Sequence, residues 1–140
     1  MPNLQAIANA EGIDGKRASF AYLCVADDLI REIAEGGRKK YSSYVKKLPA
    51  YIKCNGLGQT LAFMFSKAGS SSEYALILEQ FRQYFVFSGV IGQEVHTTED
   101  LLESIISMDP ASYRYATVEL LSMIAWLRRF VEGVLGGETE

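Results

Sequence analysis

DPASYRYATVELLSMIAWLRRFVEGVLGG, residues 109–137, decides the fold class. Asp109-Pro110 marks a helix start: an N-cap acceptor, then a proline at the first helical position, where no amide hydrogen is needed. Gly136-Gly137 marks a stop. Between them Tyr113, Ala116, Thr117, Leu120, Leu121, Ile124, Leu127 and Val131 recur at the spacing of one helix face. The stripe predicts a helix from 110 to about 135 lying on an apolar core. Trp126, beside Leu127 in this helix, is expected to belong to that core.

The same period recurs upstream, and sustained alternation of period two is found nowhere. Ser70 with Glu73 fits a capping box for a helix carrying Tyr74, Ile77, Leu78, Phe81, Tyr84 and Phe85 inward. Ser88 to His96 is a glycine-punctuated connection, and Thr97-Thr98 starts a helix ending near Met108. A long helix from Asp14 to about Glu35 has Ala18, Tyr22, Val25, Ala26, Leu29 and Ile33 on one face and Gly36-Gly37 as its end. A second runs from Arg38 to Cys54; Pro49 inside it cannot donate to the Val45 carbonyl, which predicts a kink or restart. Asn55-Gly56 is a stop. A short helix follows over 58–67 with Leu57, Leu61 and Met64 or Phe65 inward. The expectation is all-α: a compact bundle of about six helices in one domain over 1–140, with 1–13 as a fraying opening and 136–140 as a tail.

Composition sets outer limits. The 140 residues, 49% hydrophobic and 22% charged, suit one globular domain rather than a disordered chain. No apolar run approaches the ~18 residues of a membrane span, and Met1 to Asp14 lacks the basic and apolar regions of a signal peptide. Two cysteines cannot make a disulfide framework, so a cytoplasmic protein without membrane contact is expected. Cys24, Cys54 and His96 alone cannot complete a standard structural zinc site. No GxxxxGK[ST], HExxH or GxSxG element occurs, and imidazole chemistry has only His96 to use. The expectation is a non-enzyme with no cofactor and no metal.

Charge is distributed unevenly. Residues 36–72 hold Arg38, Lys39, Lys40, Lys46, Lys47, Lys53 and Lys67 and no acid, a charge of +7. Elsewhere seven basic residues face all seventeen acids, a charge of −10. At about 100° per residue, with Lys39 at zero, Lys46 and Lys53 fall near −20° and −40° and Lys47 and Lys40 near 80° and 100°. Tyr41, Val45, Leu48 and Ile52 cluster on the opposite side, and Tyr44 and Tyr51 stand on the border. A basic face edged by aromatics and backed by an apolar face suits a nucleic-acid strand, with ammonium groups for phosphates and rings for bases. The same pattern also fits a solvated helix face.

Other groups carry less. Gly56-Leu57-Gly58 lacks the third glycine of a dinucleotide fingerprint and reads as a helix–helix turn. Asp27, Asp28 and Glu32 are interrupted by Arg31 and read as a solvated face rather than a metal site. Cys24 reads as buried and inert, Cys54 as beside Lys53 with no further sign of a nucleophile. His96 reads as a local hydrogen-bonding group, and Arg128 and Arg129 as solvated or open to an acidic partner.

Residues 39–67, KKYSSYVKKLPAYIKCNGLGQTLAFMFSK, resemble the small helical subunit of the type III-B CRISPR RNA-targeting complex, the Cmr complex. That family shows a K-Y-x-S opening, a K-K-L-P-x-x-I segment and an N-G-L-x-Q-x-L-A-F turn in this order. DLLESIIS at 100–107, YRYAT at 113–117 before Glu119, and WLRRF at 126–130 agree as well. The pieces cover roughly half the chain; residues 1–13 and 86–99 carry none of them. The resemblance implies an all-α subunit without nuclease activity. It implies partners too: other Cmr subunits, above all the larger RNA-cutting subunit that forms a filament on the guide RNA, and further copies of itself. Its place would be the groove where target RNA runs. On this reading Lys39, Lys40, Lys46, Lys47 and Lys53 contact phosphates, while Asn55 and Gln59, in the matched turn, either donate to RNA or cap helices. The alternative is a protein scaffold whose basic face binds an acidic partner without RNA.

Overall fold

The computed structural model describes residues 12–26 and 35–135. Among these residues six helices and no strand form: α1 (Gly12–Ala26), α2 (Glu35–Asn55), α3 (Leu57–Ala68), α4 (Ser72–Phe87), α5 (Thr98–Ile106) and α6 (Pro110–Val134). The all-α expectation holds, and no described helix is long and apolar enough to cross a membrane. Packing gathers the described residues into two compact units, one of residues 47–120 and one of the described residues before 47 and after 120.

The unit 47–120 is built on α4. All six residues read as its inward stripe are buried, from Tyr74 to Phe85. Leu57, Leu61 and Met64 of α3, Leu101 and Ile105 of α5, and Ala116 and Leu120 of α6 are buried in the same unit; Phe65 points outward, at 41% exposure. The Tyr84 hydroxyl donates to the buried Glu119 carboxylate, so that the acid has a partner inside the unit. The connection after α4 is held from within. The Arg82 guanidinium grips Glu79 at 2.9 and 2.6 Å and donates to the Val95 carbonyl at 2.7 Å, while Ile91 and Val95 are buried. Burial pushes the Glu79 carboxyl up, but the hydrogen bonds from Arg82 and Gln83 and the Arg82 charge together hold it below its ordinary range.

Helix ends follow short polar side chains. Ser71, one residue later than Ser70, is the N-cap of α4, its hydroxyl accepting from the Tyr74 amide at 3.3 Å and donating to Glu73. Thr97 caps α5, accepting from the Asp100 amide at 3.0 Å, and α5 ends at Ile106 rather than Met108. Asp109 caps α6, accepting from the Ser112 amide at 2.7 Å. That bond is the main reason its carboxyl is held below the usual carboxylate range.

In the other unit the sequence reading needs three corrections. Gly36-Gly37 does not end a helix but lies in the first turn of α2. First-turn amides have no intrahelical acceptor, so glycine there breaks nothing; Leu29, Ile33, Asp27, Asp28, Arg31 and Glu32 lie outside the described residues. The buried face of α1 is Phe20, Ala21, Cys24 and Val25, whereas Tyr22 is 47% exposed and meets Phe130 edge-on at 5.5 Å. Trp126 is not core. It is half-exposed, stacks on Phe130 at 5.9 Å, and donates its indole N–H to Asp14 Oδ1 at 3.0 Å. An indole N–H needs a partner, and the rim supplies one where the core does not. The buried residues of α6 here are Met123, Ile124, Leu127 and Val131.

α2 runs through Pro49 without a break, so the expected restart does not occur. Removing Phe20, fully buried, as Phe20→Ala is expected to cost about 3–5 kcal/mol. Trp126→Ala, on the rim, is expected to cost less than half of that. Urea denaturation followed by far-ultraviolet circular dichroism compares the two midpoints.

Candidate nucleic-acid interface

Along α2 the apolar and basic residues separate as the helical period requires. Tyr41, Val45 and Leu48 are fully buried and Ile52 nearly so, while Lys39, Lys40, Lys47 and Lys53 are exposed. Lys46 differs from the other four. Its side chain is only 20% exposed, and its ammonium meets the Glu132 carboxylate of α6 at 3.7 Å. Tyr44 and Tyr51 are half-buried, as border positions should be. Arg38 is also half-buried, at the start of the same helix.

The turn after α2 is fixed by geometry that only glycine allows. Gly56 has φ +91°, a conformation that L side chains rarely adopt, and its carbonyl accepts from the Thr60 amide at 3.2 Å and the Thr60 hydroxyl at 2.9 Å. Gly58 donates its amide, one of the first-turn amides of α3, to the Tyr113 hydroxyl at 2.7 Å. A Cβ on Gly58 would lie 3.3 Å from that oxygen. The G-L-G string is therefore a turn clamped by α6, as its lack of a third glycine suggests.

The clamp brings Asn55 and Gln59 to one side. Together with Tyr51, Thr60 and Phe63 they line an open groove of about 350 Å³. Both amide residues are exposed. Tyr51 meets Phe63 edge-on at 6.0 Å, Phe63 meets Tyr74 at 5.7 Å, and the Lys67 ammonium stands 5.7 Å from the Phe63 ring centre. The sequence pattern counts Lys67 only in the basic run and leaves Met64 or Phe65 as the inward residue of α3, so it gives Phe63 no place in a site. The available signal was Phe63 standing twelve residues after Tyr51 across a glycine turn.

The remaining candidates stay apart. His96 is exposed in the loop before α5, Cys54 is exposed at the end of α2, and Cys24 is buried. Arg128 and Arg129 are exposed and share a shallow pocket with Glu132. Among the described residues no group of three or more His, Cys, Asp or Glu side chains gathers as for a metal.

An all-α chain with a basic helix and an aromatic groove has the make-up of a binding subunit. Comparison with known proteins gives it a family. The model of the family described as CRISPR-associated protein (Cas_Cmr5) matches residues 13–134, most of the chain. A relative from Thermus thermophilus, described as CRISPR system Cmr subunit Cmr5, is 29% identical over 111 residues, which are 79% of this chain and 89% of the relative. The chain belongs to the Cmr5 family, that of a subunit of the type III-B CRISPR system.

Gly56→Ala puts a side chain at φ 91°, ψ 159°, a region essentially only glycine occupies, and is expected to destabilise the protein by about 1–3 kcal/mol. Tyr113→Phe, which removes the acceptor for the Gly58 amide, is expected to cost about 1 kcal/mol. Urea midpoints of the two variants against the parent check both values.

Proposed function

We propose that this chain is a non-catalytic structural subunit of a Cmr-type CRISPR ribonucleoprotein complex, acting in the cytoplasm in antiviral defence. It lines the groove for target RNA and contacts RNA phosphates through the lysines of α2. Lys39, Lys40, Lys47 and Lys53 are the direct phosphate ligands; Lys46 divides its charge between the strand and Glu132. Its partners are the other Cmr subunits, above all the filament-forming RNA-cutting subunit, further copies of itself, and the guide and target RNAs.

One observation carries the reading. In a member of this family, an acid-free run of 37 residues, 36–72, sets four exposed lysines along a single helix backed by buried Tyr41, Val45, Leu48 and Ile52. A phosphate backbone is drawn to such a surface without regard to base sequence. The acidic remainder of the chain, at −10, supports contacts with basic neighbours in an assembly.

Each lysine–phosphate contact on a single strand contributes about −0.7 to the slope of log affinity against log salt. In the assembled complex, Lys39→Ala, Lys47→Ala and Lys53→Ala together are expected to flatten that slope by about 2 for target RNA, about equally for all sequences. Each exposed substitution costs under ~0.5 kcal/mol of stability, so the fold survives. An unchanged slope with intact assembly contradicts the RNA reading; loss of assembly in the absence of target RNA favours the acidic protein partner. A second expectation concerns catalysis. The isolated protein leaves labelled single-stranded RNA intact, with or without divalent metal, and cleavage that His96→Ala abolishes would contradict it.

A further inference from the structure

The groove between the end of α2 and the start of α3 has a composition that phosphate binding does not need. Two aromatic rings, Tyr51 and Phe63, stand on its walls, and two exposed primary amides, Asn55 and Gln59, share it with them. Its buried polar residue, Thr60, has already donated its hydroxyl to the Gly56 carbonyl, which leaves the two amides available to a ligand. Among the described residues that line it none is acidic. Lys47 lies one helical turn before Tyr51, and Lys67, whose ammonium stands 5.7 Å from the Phe63 ring centre, lies one turn after Phe63. Phe63 is 38% exposed although it has two aromatic neighbours, so part of a large apolar ring faces solvent in the most basic part of the chain.

We propose that this groove takes one unpaired nucleobase of the bound RNA, stacked on the Phe63 ring, with the Tyr51 ring, at 75° to Phe63, beside it and the base edge toward the Asn55 and Gln59 amides. Each ligand feature has its counterpart. The faces of a base suit aromatic rings; its edge offers donors and acceptors that primary amides match; the adjoining phosphates suit Lys47 and Lys67. An apolar peptide would leave the lysines without a purpose, and a bare anion would leave the rings without one. The groove is held open by the clamped turn: with Gly56 at φ +91° and the Gly58 amide on Tyr113, Asn55 and Gln59 stay on one side of the hairpin. The proposal rests on the reading of the α2 lysines as RNA ligands and adds base contact to it, so the two can fail separately.

The test uses the assembled complex and target RNA carrying 2-aminopurine at successive unpaired positions, with an abasic series beside it. Stacking in the groove is expected to quench 2-aminopurine at particular positions, and Phe63→Leu is expected to relieve the quenching there. Phe63→Leu is expected to weaken affinity about tenfold with an unchanged salt slope. On RNA abasic at the quenched position, variant and parent are expected to bind alike. Asn55→Ala with Gln59→Ala, both at exposed positions that leave the fold intact, is expected to give a smaller loss that depends on which base stands there. If Phe63→Leu binds as the parent does while the lysine variant still flattens the slope, the base site is wrong and the phosphate track stands. An equal loss on abasic RNA, or failure of Phe63→Leu to enter the complex, also overturns the base site, assigning the groove to the sugar–phosphate backbone or to a protein neighbour. If neither the lysine variant nor the groove variants alter RNA binding, the underlying reading falls with the proposal.

Discussion

A hydrogen bond between residues 55 positions apart, from the Gly58 amide to the Tyr113 hydroxyl, sets the geometry of the α2–α3 turn and of the groove beside it. It gives a first-turn amide of α3 the acceptor it lacks within its own helix and ties the α2–α3 hairpin to α6. Gly56 makes the turn possible, because its φ of +91° is open to glycine at little cost. Gly58 allows the tyrosine oxygen to approach, since a Cβ there would already press on it at 3.3 Å. Once the hairpin is fixed, Asn55, Gln59, Tyr51 and Phe63 have to share one groove. The K-C-N-G-L-G-Q string is thus a structural device first, and its outward residues take their positions from it.

The basic helix works by division of labour around its circumference. Four apolar side chains are buried on one side, which is ample to hold a helix whose other side carries like charges spaced about a turn apart. Repulsion among exposed lysines is screened by salt and costs little, whereas an acid within the run would weaken the positive potential of this face. Lys46 is the exception, its charge shared with Glu132 at 3.7 Å. Both partners are at least partly exposed, so the pair contributes at most ~1 kcal/mol and leaves Lys46 able to exchange partners.

Much of this architecture was legible in the sequence because periodicity and capping are local. The stripe of α4 is buried at all six positions read from it, and that of α2 at all four. Thr97 and Asp109 cap the helices they precede. What escaped depends on neighbours that local pattern does not contain. Gly36-Gly37 reads as a stop, yet at the start of α2 its amides have no helical acceptor to lose. Trp126 reads as core from its place beside Leu127, but it is half-exposed and its N–H finds Asp14, which is 112 residues away. The lysines and both amides of the proposed interface come from charge and motif. The place of Phe63 in the groove does not, because it follows from the turn that folds α3 back beside Tyr51.

The central claim is that residues 36–72 meet RNA in the assembled complex. Photocrosslinking of target RNA followed by mass spectrometry of this chain tests it most directly. The account predicts crosslinked peptides from 36–72, with Tyr51 and Phe63 among the modified residues. Crosslinks confined to the acidic helix α5 or to α6, or none on this chain while neighbouring subunits crosslink, would contradict it.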